Sequence, residues 1–171
     1  MAAGPSTSLG RAVYAHLGSK DVVKVVYGSI VGLALVVALE AHPGTPTQTV
    51  AAVVATAIAM ALAEAFSEFI GIETRERRHV AGRELPGLAT DAAAVAVGAG
   101  FPAVFFLLAA LGLIELDTAF TIAKWSGLGL CAAYGWCAAR LNGAPHHKAL
   151  LHGGAVALIG AAVIAVKALV H

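Results

Sequence analysis

The chain has 171 residues, of which 59% are hydrophobic and only 12% charged, and its formal net charge is +1. A soluble domain carries about 25% charged residues, so a globule of this size would lack the polar side chains to cover its surface, which argues against a soluble enzyme. The near-neutral balance also gives no electrostatic footprint for nucleic acid. Abundant Ala, Leu and Gly favour helices over a membrane barrel, and the composition reads as an all-α, polytopic membrane protein.

The opening stretch MAAGPSTSLGRAVYAHLGSK has no apolar core and does not read as a secretory signal. Residues 1–21 are taken as a polar cytoplasmic N-terminal segment, and residues 22–171 as a five-helix transmembrane domain. A spanning helix needs about 20 mostly apolar residues. Segments of that kind cover about 22–41, 49–70, 88–111, 120–139 and 149–170. The first two are separated by HPGTPTQ, whose prolines cannot continue a helix. GIETRERRHVAGRELPG, GLIELD and RLNGAPHHK separate the others.

Five spans put the N-terminus and the second and fourth connections on one side. That side carries Arg11, Lys20, Lys24, Arg75, Arg77, Arg78, Arg83, Arg140 and Lys148, and the other only Lys124 and Lys167. By the positive-inside rule the N-terminus is cytoplasmic and the C-terminus outside, in a multi-pass protein of the cell membrane. Lys124 and Lys167 lie just inside helix ends, where they can snorkel. Trp125, Tyr134 and Trp136 suit the aromatic belts. Cys131 and Cys137 lie six residues apart in one apolar segment, which a straight helix keeps from pairing. They read as packing residues.

Ionisable groups at membrane depth are functional hypotheses by default. In the second span, Met60, Glu64 and Glu68 recur every four residues with Ser67 beside them, placing a thioether, two carboxylates and a hydroxyl along one stripe. Oxygen ligands suit divalent cations or protons, and the thioether adds softness toward iron-like metals. The plainer reading places both glutamates near the cytoplasmic interface, with Glu68 paired to Arg75 or a neighbour. Glu40, at the outer end of the first span, reads as an exit carboxylate or an interfacial one. Asp91 lies in the first turn of the third span and either caps it or joins a cytoplasmic site with Glu68. Glu115 and Asp117 are expected in solvent or near Lys124. His146, His147 and His152 match no tight metal motif.

Gly28 and Gly32 form a G-x-x-x-G pair that allows close helix approach, within one chain or across a homodimer. Pro102 should kink the third span and free a carbonyl at mid-membrane.

Three segments together resemble the vacuolar iron transporter family of divalent-metal/proton antiporters, from about Tyr27 onward. AMALAEAFS is similar to the family pattern S-M-A-x-G-E-Y-x-S through Met60, Ala61, Glu64 and Ser67. GAGFPAVFFLL resembles G-A-x-x-P-L-x-P-x-L-L through Gly98, Ala99 and Pro102. GWCAARLNG resembles G-A-x-x-A-R-L-T-G through Gly135, Ala139, Arg140, Leu141 and Gly143. The chain departs where the family's first helix opens D-G-L: here stands Tyr27-Gly28-Ser29, and Glu68 is a candidate replacement for that aspartate. A short basic loop also takes the place of the family's cytoplasmic metal-binding domain.

The resemblance implies a homodimer in the bilayer that exports Fe²⁺ or Mn²⁺ from the cytoplasm against protons, with no bound cofactor. Met60 and Glu64 would be ligands near the dimer axis, Glu68 and Asp91 would load metal, and Glu40 would sit at the exit. The alternatives are a non-transporting scaffold or accessory subunit with the same fold, or a passive cation channel. No nucleophile–base pair or open metal triad suggests an enzyme.

Overall fold

The computed structural model describes residues 20–169, and among them it is all-α, without strands. The expected N-terminal segment lies almost wholly outside the described residues. Six helices follow in order: α1 (Lys20–Ala41), α2 (Pro46–Glu76), a 3₁₀ turn at Gly82–Glu84, α3 (Leu85–Gly100), α4 (Ala103–Ala110), α5 (Leu116–Leu141) and α6 (His146–Leu169).

Two of these helices are long and apolar enough to cross a membrane. They are Val22–Ala41, with mean hydropathy 2.3, and Pro46–Glu76, with mean hydropathy 2.0. A third crossing arises if α3 and α4 form one span. They are bent by 50° at the break between them, where Pro102 supplies no N–H to bond the carbonyl of Gly98. The kink expected at Pro102 is therefore present, and the segment expected as one span over 88–111 is two helices.

The second helix is longer than hydropathy alone indicates, because local chemistry sets its ends. Thr45 and Gln48 form a reciprocal capping box and Pro46 opens the first turn, so the helix begins three residues before the apolar run. At the other end ETRE continues as helix until Arg77 turns left-handed at φ 50°, since Glu and Arg are good helix formers.

Glycines set how closely the helices approach. A Cβ built at Gly28 would lie 2.3 Å from the Val95 carbonyl oxygen, and one at Gly98 would lie 2.2 Å from that of Val25. Gly32 faces the Ala99 carbonyl at 2.7 Å in the same way. The ascending order Gly28–Val95 and Gly32–Ala99 makes α1 and α3 parallel, joined nearly backbone to backbone. The expected G-x-x-x-G pair thus faces α3 of the same chain. Gly127 abuts Leu33 and Gly153 abuts the Ala132 carbonyl, which places α5 against α1 and α6 against α5.

The core gathers Val36, Val53, Phe106, Ala109, Ala119, Phe120 and Ala123 from α1, α2, α4 and α5. The Phe106 and Phe120 rings meet edge to face at 4.8 Å. The exterior is apolar as well: Val23, Leu62, Phe66, Trp125 and Leu151 are each more than 65% exposed, a surface suited to lipid rather than water. On α2, Ala51, Ala55, Ala59, Ala63 and Ser67 recur every four residues and all are exposed, leaving a smooth stripe along that helix.

Candidate functional site

The glycine seam between α1 and α3 leads directly to a charged cluster. Lys24 precedes Gly28 by one turn on α1, and Asp91 precedes Val95 by one turn on α3. The same parallel register that joins the glycines therefore sets Lys24 opposite Asp91, and Lys24 Nζ lies 3.1 Å from Asp91 Oδ2. The ammonium also donates to Glu64 Oε1 on α2. The three side chains are each about one-fifth exposed. One cation shared by two carboxylates gives the cluster a net charge of −1 when all three are ionised. A partly desolvated surplus of negative charge attracts a further cation.

The structure corrects the expected site in several places. Asp91 does not lie in the first turn of its helix: α3 begins at Leu85 and has no acidic residue in its first turn, so a capping role falls away. Its carboxylate joins Glu64, through Lys24, and not Glu68. Glu68 faces Arg75, the partner its plainer reading named, on its own helix at 3.5 Å. Met60, Glu64 and Glu68 are all half-buried, while Ser67 beside them is exposed. Among the described residues no group of three or more His, Cys, Asp or Glu side chains could hold a metal ion.

At the opposite end of α1, Glu40 accepts two hydrogen bonds from Lys124 Nζ on α5, at 2.6 and 2.7 Å. Lys124 was expected to snorkel or to meet Glu115 or Asp117, both of which are exposed. It reaches Glu40 because α1 and α5 pack antiparallel and bring the two side chains within reach. Tyr27 is more than half exposed. Ser29 is buried and donates to the Val25 carbonyl at 2.8 Å.

The loop after α2 is organised by Arg78. Its guanidinium donates to both Glu84 oxygens at 2.6 and 2.7 Å and to Glu76 at 2.7 Å. Glu84 and then Glu76 hold that guanidinium's pKa above its ordinary value. Glu84 also accepts from the Ala81 N–H at 2.8 Å. His79 faces Glu73 at 2.9 Å, and His146, His147 and His152 are exposed.

Sequence reasoning counted Lys24 among the basic residues of the cytoplasmic side and missed its part in the site. The signal was its spacing: Lys24, Gly28 and Gly32 share one helix face, so whatever the glycines pack against, the lysine meets also.

No protein-family model, curated protein or solved structure matches the chain. The resemblance to the vacuolar iron transporter family rests on the residue patterns alone.

Proposed function

We propose that this protein is a five-span membrane transporter that carries a small cation out of the cytoplasm, with Glu64 and Asp91 as the cation-accepting pair. The observation that carries this reading is the convergence of two carboxylates from different helices on a single lysine. Lys24 then acts as a tethered cation that occupies the pair when no cargo is bound, and an incoming cation must compete with it. Divalent iron or manganese, exchanged for protons, is the cargo that the family resemblance and the oxygen-rich pair with Met60 one turn away favour. The nine-to-two distribution of basic residues supports placing the Lys24 end in the cytoplasm. The exposed small-residue stripe on α2 favours assembly as a homodimer.

A specific observation favours a second reading, a non-transporting scaffold. Glu40, Glu64 and Asp91 each have a lysine partner within the chain, as purely structural ion pairs would.

Fe²⁺ and Mn²⁺ flux into proteoliposomes with an internal pH probe separates these readings. Metal entry with opposed proton movement, lost in Glu64→Gln, supports the antiporter. Entry without proton movement supports a channel, and no flux from well-folded protein supports the scaffold.

A further inference from the structure

We infer that the Glu40–Lys124 ion pair is the outer gate of the cation path, a role that rests on the transport reading above. Two observations carry it. First, α1 contributes one charge to an ion pair at each end. Lys24 ties it to α2 and α3, and Glu40 ties it to α5. A movement of α1 can therefore release one end while the other stays tied.

Second, the Glu40 end is closed by more than charge. Gly127 abuts Leu33, so Lys124 starts level with Val36 and reaches outward to Glu40. At that level Val36, Val53, Phe106 and Phe120 are all 0–1% exposed. This apolar plug fills the space between α1, α2, α4 and α5, and the ion pair fastens α1 to α5 beside it. The Glu40–Lys124 pair itself keeps more of its surface than the Lys24 cluster does, so the described state is closed at the Glu40 end by the buried residues beneath the pair. Opening outward requires α1 and α5 to part, which breaks the Glu40–Lys124 contact and uncovers Val36.

The test uses the full chain with Cys131→Ala and Cys137→Ala, and Val36→Cys as reporter, labelled from outside by a membrane-impermeant maleimide. Glu40→Gln and Lys124→Gln should each raise the labelling rate about twofold to fivefold, the change expected for loss of one partly exposed ion pair. The exchanged double variant Glu40→Lys/Lys124→Glu should return it close to the parent rate. Lys124→Arg, which keeps the pair, should leave it low.

Equal labelling in all variants, or labelling raised alike in the single and exchanged variants, overturns the gate. Ion flux recorded on the same vesicles keeps the two ideas apart. Pair-independent labelling alongside flux overturns the gate alone. Pair-dependent labelling without flux from the parent protein overturns the transport reading and the gate with it.

Discussion

Gly98→Ala is the sharpest test of how packing positions the site. The new methyl carbon would lie 2.2 Å from the Val25 carbonyl oxygen and 2.9 Å from the Ser29 nitrogen, where ordinary contact begins at 3.4 Å. Both obstacles are backbone, so no rotamer change relieves them. The helices must part by about 1 Å, in the range where overpacking costs ~1–3 kcal/mol. Against this stands the gain from replacing a helical glycine by alanine, ~0.5–1 kcal/mol. A net loss of about 1–2 kcal/mol follows. Gly129→Ala and Gly154→Ala serve as controls, since a Cβ at either position meets nothing within 4 Å, and they should be neutral or mildly stabilising. Unfolding in mild detergent, followed by circular dichroism, reads the difference. Because the same contact sets Lys24 opposite Asp91, Gly98→Ala should also weaken any function that depends on the cluster. Gly98→Ala as stable as the parent protein would refute the α1–α3 contact as described.

Other expectations follow from particular contacts. Lys24→Met leaves Glu64 and Asp91 facing each other without their shared cation. It should cost roughly 1–3 kcal/mol, between the values for exposed and buried pairs, while Lys24→Arg should cost less; equal stability of all three proteins would show that the pair is idle. Pro102→Ala restores an N–H for the Gly98 carbonyl and should relax the 50° bend, lengthening the distance between spin labels on α3 and α4; an unchanged distance would assign the bend to packing alone. Arg78→Ala should speed hydrogen exchange at Ala81 and Glu84 while leaving the unfolding midpoint nearly unchanged, and unaltered exchange would contradict the clamp.

Much of the architecture was legible because hydropathy and glycine spacing are local signals. The apolar runs marked the helices, Pro102 marked the bend, and Gly28 with Gly32 marked a close contact. The helix ends were less legible. Hydropathy began the second helix at Thr49, whereas the Thr45–Gln48 capping box starts it at Pro46. The site was half legible: periodicity singled out Glu64, but its partner lies 40 residues away. Glu40 and Lys124 are 84 residues apart, and only the antiparallel packing of α1 and α5 makes them neighbours. Pairings of that kind depend on which helices touch, and no helical period encodes it.

The central claim is that Glu64 and Asp91 accept a cation in exchange for Lys24. Electron paramagnetic resonance of Mn²⁺ titrated into the purified full chain tests it directly, beside the double variant Glu64→Gln/Asp91→Asn. The account predicts saturable binding by the parent protein that the double variant loses while remaining folded. Undiminished binding in the double variant, or no binding by the folded parent protein, would contradict it.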